Sequence, residues 1–312
     1  MSVDNKQFTK EWDVQNYLVW AAVQSLLIIL LWLSSQLSGW PLALCAFAFG
    51  FLGLTNYALI HEACHGSLNN NKQINRWMGT VAGWFFPVSF SFMEVAHTVH
   101  HIHNRTDSEM FDYYYPDDNL VIKYAQWYSI LIGIYPPIIP LGSILMALVP
   151  QLFWLKPWQT AKSSASIFKP SQFPPAVLWK IRIEVGLGLF FWWGLTIVLN
   201  LDIISVAVLY AVYWFNWSTR QYVTHAFSKR DVLEGAHNLK VSRIMGWIFL
   251  NGHWDLVHHA KPNARWQQLP ELGKNSRAPI PYWSQYFKQW AGPRPNAEAA
   301  PVALENSPNE VL

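Results

Sequence analysis

Charged residues are scarce in this chain. Asp, Glu, Lys and Arg make up 13% of its 312 residues, whereas soluble domains contain about 25%. The formal net charge of +3 is too small to indicate a nucleic-acid partner. Hydrophobic residues account for 52% of the chain and Trp occurs 19 times, and Trp is enriched where proteins meet the membrane–water interface. The composition therefore predicts an integral membrane protein.

Cysteine is scarce as well. The two cysteines, Cys45 and Cys64, lie in or beside apolar segments. A disulfide framework, a zinc knuckle, a redox CxxC pair and a cysteine-bound iron–sulfur cluster each need a set of cysteines that this chain lacks. The cysteines therefore indicate neither a metal site nor a disulfide.

Four apolar runs approach the length of about 20 residues that a helix needs to cross a bilayer. They form two predicted hairpins, residues 17–37 with 41–60 and residues 181–199 with 203–217. The turns within the hairpins contain no Lys or Arg. Basic residues instead flank the open end of the first hairpin, at Lys6, Lys10, Lys72 and Arg76. By the positive-inside rule, this asymmetry predicts that the segments outside the hairpin turns face the cytoplasm.

Two other apolar segments do not fit a simple crossing. A full crossing by residues 74–92 would separate His65 from His97, so we expect an interfacial or re-entrant segment there. Residues 127–154 contain four prolines, which disrupt helix interiors, and they predict either re-entrant half-helices or two short spans. Glu184, near the start of the third span, is interpreted as a charge at the membrane interface.

These segments together predict the fold class. It is an all-α integral membrane protein with about four transmembrane helices in two hairpins, interfacial helices and a cytoplasmic histidine-rich cap. Residues 1–291 are expected to form a single membrane domain. Residues 292–312 are rich in Pro, Ala, Asn and Glu and are predicted to form a disordered tail.

Three histidine clusters lie on the side that is predicted to be cytoplasmic. Residues three and four apart share one face of a helix, so each cluster is expected to direct its side chains to one point. Imidazole is a good ligand for iron, zinc and copper. The clusters therefore predict a metal centre whose ligands are His61 and His65, then His97, His100 and His101, then His258 and His259.

The third cluster leaves one ligand open. Asp255 stands three and four residues before His258 and His259, and this spacing aims its carboxylate at the metal. His253 would face away on a helix but could reach the metal from an irregular segment. His225, just after the fourth apolar run, is predicted to be a further ligand, and His237 an ordinary surface residue.

The order of these motifs, HEACH, then HTVHH, then a distal HH, resembles the membrane fatty acid desaturase and hydroxylase superfamily. Members of that family hold a non-haem di-iron centre with three histidine boxes, HxxxH, HxxHH and (H/Q)xxHH, and an isolated histidine supplies a further ligand. The resemblance covers roughly residues 61–272 and includes the segments that follow the second and third boxes. The third box departs from the pattern because Asp255 stands where the family has His or Gln.

The resemblance implies an oxygen-dependent lipid desaturase with two irons per chain and dioxygen as co-substrate. Such an enzyme would insert a double bond into a fatty acyl chain and would take electrons from an external ferredoxin or cytochrome. An acyl tunnel is expected among the aromatic residues Trp84, Phe85, Phe86, Trp192, Trp193, Trp214 and Trp217. The alternative within the family is a hydroxylase or ketolase that acts on a carotenoid or another lipid.

Two other classes of protein also fit parts of the sequence. Residues 61–65 match the HExxH motif of zinc proteases, in which two histidines bind zinc and the glutamate acts as general base. A metal- or haem-binding transport protein without enzymatic activity would also contain clustered histidines. The number of histidines favours two metal ions over one zinc.

Overall fold

The structure is a computed structural model that describes residues 10–159 and 167–304. Short two-residue strands pair in parallel, β1 (Tyr113–Tyr114) with β4 (Arg294–Pro295) and β2 (Leu239–Lys240) with β3 (Ile280–Pro281). The rest of the secondary structure is helical. The α-helices are α1 (Lys10–Ser34), α2 (Gly39–Cys64), α3 (Lys72–Phe85), α4 (Phe90–His103), α5 (Leu120–Leu131), α6 (Ile138–Leu148), α7 (Lys156–Gln159), α8 (Pro175–Leu199), α9 (Ile203–Gln221), α10 (Arg243–Ile248), α11 (Asp255–Ala260), α12 (Leu269–Gly273) and α13 (Tyr282–Gln289).

Three helices of the described chain are long and apolar enough to cross a membrane, namely α1, α2 and α8. Each has 25 or 26 residues, and at 1.5 Å per residue it exceeds the roughly 30 Å of a bilayer core. The helical composition and these spans confirm the prediction of an all-α integral membrane protein. The outer faces of α8 remain exposed and apolar, as at Phe190 and Trp193, where lipid would contact them.

The predicted fourth span is the helix α9, which has 19 residues. It is less apolar than the other three because it buries polar side chains, among them Ser205 and Asn216, against its neighbours. Its main packing partner is α2 rather than α8. Asn216 donates a hydrogen bond from Nδ2 to the carbonyl oxygen of Gly50 at 3.1 Å. The number of four crossings therefore stays a prediction.

The proline-rich region folds into short helices. The helices α5 and α6 have 12 and 11 residues, and helices of this length reach only about 18 Å, too short for one crossing. Gly133, with a φ of +86°, turns the chain between them. Of the two predicted alternatives, this arrangement corresponds to a pair of half-helices. The helix α3, with 14 residues, is likewise too short to cross, as expected for an interfacial segment.

Residues 292–304 of the predicted tail make backbone contacts with the rest of the chain. Arg294 donates its backbone N–H to the carbonyl oxygen of Asp112, and Leu304 donates to that of Ile102. The guanidinium of Arg294 also lies 4.1 Å from the ring centre of Phe227. A polar composition does not reveal such backbone pairing, and the disorder of residues 292–312 stays a prediction. Residues 305–312 lie outside the described part of the chain.

Glu184 is also placed differently from the sequence interpretation. It is only 6% exposed, and its side chain extends from α8 toward α3 and the start of α4. Its carboxylate accepts hydrogen bonds from Ser89, Ser91 and Arg76. Glu184 is therefore a buried residue that links three helices, and not a solvent-exposed charge.

Close contact between α2 and α9 depends on glycine. A Cβ atom at Gly53 would lie 2.4 Å from Cε2 of Tyr213. We expect Gly53→Ala to lower the free energy of unfolding by roughly 1–3 kcal/mol, because overpacking forces a buried ring to move. Thermal unfolding of the detergent-solubilised protein measures the effect.

Gly186→Ala is the matched control for this substitution. Gly186 also lies in the middle of an apolar helix, but no atom lies within 4 Å of the position that its Cβ would take. This variant should unfold at or above the wild-type temperature, since Ala is the better helix former. Equal unfolding temperatures for the two variants would contradict the packing argument.

Candidate metal centre

The first histidine cluster lies at the end of a long apolar helix. His61 and His65 occupy the last turn and the C-cap of α2, and their ring centres are 5.1 Å apart. Glu62, between them, has its Oε1 3.9 Å from Nδ1 of His61. It accepts hydrogen bonds from Ser67 Oγ at 2.8 Å and from the backbone N–H of Trp266 at 3.1 Å. The span thus ends in two imidazoles that face the protein interior.

The second cluster lies at the C-terminal end of α4. This helix begins at the N-cap Ser89 and carries its histidines in the last two turns, at His97, His100 and His101. The three rings do not converge on one point as the sequence predicts. His97 and His101 lie with the first cluster, whereas the ring of His100 turns toward His225 and His259, with ring centres at 5.0 and 5.4 Å.

The third cluster lies on the short helix α11, which follows a tight turn. Leu250 and Asn251 adopt positive φ values of 44° and 56°, and the chain then enters α11 at Asp255. His258 and His259 are each 2% exposed. As on α4, the adjacent histidines separate, since neighbouring residues on a helix point about 100° apart.

Five histidines form one potential metal-binding group. Nε2 of His97 lies 2.6 Å from Nε2 of His65 and 3.1 Å from Nε2 of His101. Nε2 of His101 lies 3.1 Å from Nε2 of His258. The members of this group, which offer one ligand atom each within 4.8 Å of one another, are His61, His65, His97, His101 and His258.

Three more histidines form a second potential group, His100, His225 and His259. Asp255 lies beside it, with Oδ2 3.1 Å from Nε2 of His225 and Oδ1 3.9 Å from Nε2 of His259. Oδ2 has no hydrogen-bond partner among the described residues. The carboxylate therefore lies against two rings of this group, although it is not itself one of the group's members.

The remaining histidines lie outside both groups. His253 is buried next to Gly246 and Trp254, and its ring is absent from both sets of converging nitrogens. His237 donates its backbone N–H to the carbonyl oxygen of Thr224, and His103 ends α4 away from the groups. Of the two candidates that the sequence left open, the structure thus brings Asp255 to the other ligands and not His253.

Hydrogen bonds orient the second group from outside. Nδ1 of His100 lies 3.3 Å from Oε2 of Glu109, and Nδ1 of His225 lies 3.1 Å from the carbonyl oxygen of Gly235. In the segment that follows α4, Arg105 and Asp112 form a fully buried ion pair with N–O distances of 2.8 and 3.0 Å. The sequence reasoning did not identify Arg105, although a charged residue directly after the second cluster was a usable signal.

The chemistry of these donor sets suits metal ions. Burial lowers the pKa of His101, His258 and His259 well below its ordinary value, so their rings are neutral and offer lone pairs at pH 7. Nitrogens bound to one ion at about 2.1 Å are roughly 3 Å apart, close to the 3.1 Å distances that His101 makes. Burial raises the pKa of Asp255 to about 6, and an adjacent cation would offset that cost.

A cavity of about 360 Å³ adjoins both groups. At one end it is lined by ligand candidates such as His61, His97 and His100. Further away its walls are apolar and come from α2, α4 and α6, with Leu54, Ala58, Phe92, Met93, Ala96 and Ile139. Of the aromatic residues proposed to line a tunnel, Trp217 does so, whereas Trp193 is 62% exposed on the outer surface.

The fold and the site define a class of protein. It is a helical membrane protein in which histidines at the ends of helices form a buried metal-binding site beside an apolar cavity. Residues 38–290 match the family model described as fatty acid desaturase, and the chain therefore belongs to the fatty acid desaturase family. The family implies an oxidoreductase with lipid desaturase- or hydroxylase-type activity and the use of iron. No curated protein matches the chain.

We expect Asp255→Ala to lose one of the two metal ions that the two groups would hold. The ligand set next to His225 would keep three imidazoles but lose its carboxylate, a good iron ligand. Asp255→His should keep both ions because it restores a fourth donor. Metal analysis of the purified protein, in ions per chain, measures the result.

His253→Ala is the control for that experiment. It removes a buried imidazole two residues away without touching either group, and it should bind metal like the wild type. The assignment fails if Asp255→Ala keeps both ions and His253→Ala loses one.

Proposed function

We propose that this protein is an oxygen-dependent di-iron lipid desaturase that inserts a double bond into a fatty acyl chain. The observation that carries the proposal is the division of eight histidines into two adjacent groups of five and three. Two irons with dioxygen supply an oxidant strong enough to attack an unactivated C–H bond. The ligands proposed for them are His61, His65, His97, His100, His101, His225, Asp255, His258 and His259.

The cavity supports a lipid substrate. Its lining combines apolar residues of α2, α4 and α6 with the histidines, so an acyl chain bound there would keep its apolar surface away from water. Residues such as Phe92 and Met93 would hold the chain straight beside the metal ligands of the same helix. The substrate's head group, chain length and double-bond position depend on features beyond these walls.

Glu62 distinguishes this proposal from a zinc protease. In an HExxH protease the glutamate faces a metal-bound water and acts as general base. Here both Ser67 and the backbone N–H of Trp266 donate hydrogen bonds to Oε2 of Glu62, which ties this oxygen to the fold, while Oε1 lies 3.9 Å from Nδ1 of His61. A single zinc would also leave most of the eight clustered imidazoles without a ligand role.

The chain is expected to receive electrons from a separate protein of ferredoxin or cytochrome type, because its two cysteines cannot hold an iron–sulfur cluster. The histidine groups are proposed to lie on the cytoplasmic side, where such a donor would reach them. The basic residues that flank the first hairpin support this orientation.

Lipid profiling of a host that expresses the protein tests the reaction. The wild-type chain should produce new unsaturated acyl chains, and His100→Ala should reduce them to background, because His100 belongs to the group of three. His237→Ala, which alters a histidine outside both groups, should behave like the wild type. Metal analysis of the same proteins should find about two irons per wild-type chain.

The outcomes separate the candidate functions. Hydroxylated or keto lipids in place of new double bonds would favour the hydroxylase or ketolase alternative. One zinc per chain with unchanged lipids would favour a protease, and a visible haem spectrum would favour a haem protein. Unchanged lipids with a fully iron-loaded, donor-supplied chain would contradict a lipid-modifying reaction.

Single-cysteine labelling tests the membrane topology. In a chain without Cys45 and Cys64, the variants Asn71→Cys and Lys261→Cys place exposed thiols near the first and third histidine clusters. An impermeant thiol reagent should label both from the cytoplasmic side only. Matched cysteines in the exposed hairpin turns, Ser38→Cys and Asn200→Cys, should be labelled from the opposite side. Labelling of positions 71 and 261 from opposite sides would refute one shared site.

A further inference from the structure

A buried carboxylate on α8 contacts the beginning of the helix that carries three of the proposed ligands. Oε2 of Glu184 accepts hydrogen bonds from Ser89 Oγ and from the backbone N–H of Ser91, each at 2.7 Å. Oε1 accepts from Ser91 Oγ at 2.7 Å and from Arg76 Nη2 at 3.1 Å. Every donor lies on α3, at the N-cap of α4 or in the first turn of α4. None of these side chains takes part in the proposed reaction.

The carboxylate of Glu184 accepts a hydrogen bond from a backbone amide that α4 itself leaves without a partner. The first amide groups of a helix have no partner within it, and a negative charge is favourable at this end of the helix. At α4 the N-cap Ser89 accepts from the N–H of Phe92 at 3.3 Å, and Glu184 accepts from the N–H of Ser91. Ser89 therefore joins the carboxylate to the helix a second time through its own hydroxyl.

Arg76 connects Glu184 to a second position on α4. Its Nη1 donates to Oε2 of Glu94 at 3.1 Å, and Glu94 lies one turn before His97 on the same helix. Arg76 also contacts the hydroxyl of Ser91. The side chain of Glu184 is 8% exposed and that of Glu94 is 41% exposed. Water therefore screens the charge of Glu184 less than that of Glu94.

The group of five histidines has little other support. Nδ1 of His65, His101 and His258 has no hydrogen-bond partner among the described residues. In the group of three, by contrast, Glu109 and a backbone carbonyl orient two of the rings. The convergence of the nitrogens in the group of five therefore depends on how α2, α4 and α11 are placed relative to one another.

We propose that Glu184 is a positioning residue for the metal centre, which fixes the axial position and rotation of α4 and thereby the rings of His97 and His101. This inference rests on the proposed function, because it assumes that the histidine groups bind metal. His97 lies about 9 Å along the helix from Ser91, so a shift at the anchored end carries through to the ligands.

Cobalt titration of the metal-free, detergent-solubilised chain tests this role without turnover. Glu184→Ala should bind Co²⁺ about tenfold or more weakly, in the range found when groups that orient ligands are removed. It should also change the visible spectrum of the bound cobalt, which reports ligand geometry. Glu184→Gln keeps one acceptor oxygen and should fall between Glu184→Ala and the wild type.

Arg182→Ala is the matched control on the same helix. Nε of Arg182 donates to the carbonyl oxygen of Ala147 at 2.9 Å, so this change breaks a link between α8 and α6 and leaves the contacts of Glu184 with α4 intact. It should lower thermal stability without altering the affinity for cobalt or its spectrum. A purely structural role for Glu184 would produce the same pattern in Glu184→Ala and would overturn the proposal.

Folding is checked by size-exclusion chromatography, and only the monodisperse fraction is titrated. If Glu184→Ala does not fold, Glu184→Gln and Ser91→Ala are titrated instead. Each removes part of the contact between Glu184 and the start of α4, so each should shift the cobalt spectrum in the direction expected for Glu184→Ala. Wild-type affinity and spectrum in both would overturn the inference alone. A wild-type chain that binds no cobalt and no iron would overturn the proposed function and this inference with it.

Discussion

Eight imidazole rings are packed into one region of the protein interior, and their ring nitrogens point at one another. Ring nitrogens that lie 2.6–3.1 Å apart repel each other unless they share a proton or bind a common cation. Buried nitrogens without a partner also cost about 1–3 kcal/mol each. The scaffold must therefore hold together a set of buried rings that have few hydrogen-bond partners outside the set. This requirement accounts for much of the polar structure that surrounds the site.

Buried polar contacts hold the ligand-bearing segments, one at each place where the chain reaches the site. Glu62 ties the end of α2 to the backbone of Trp266, just after α11. Arg105 and Asp112, both fully buried, join the segment after α4 to the segment after α9 through Tyr222. Such ion pairs add little net stability because of the cost of desolvation. Their value here is geometric, since each fixes one ligand segment relative to another.

The sequence predicted the features that depend on local periodicity. The spacing of His61 and His65 placed both on one helix face, and the spacing of Asp255 to His259 placed the carboxylate near the second group, as the structure has it. Features that depend on distant contacts were missed. The strand β4 pairs with β1, about 180 residues away in the sequence, and the burial of Glu184 comes from contacts about a hundred residues away. Neither leaves a periodic signal.

The paired histidines explain how one helix can serve two metal ions. Residues four apart on a helix differ by about 40° in direction, and adjacent residues by about 100°. His97 and His101 therefore join one group while His100 turns to the other. The same rule on α11 sends His259 to the second group, with Asp255 beside it, and His258 to the first. An HH pair within one turn of a third histidine thus directs its two rings to different groups. The sequence prediction that each cluster converges on one point was wrong because it applied the i, i+3 and i, i+4 spacings as if they were equivalent.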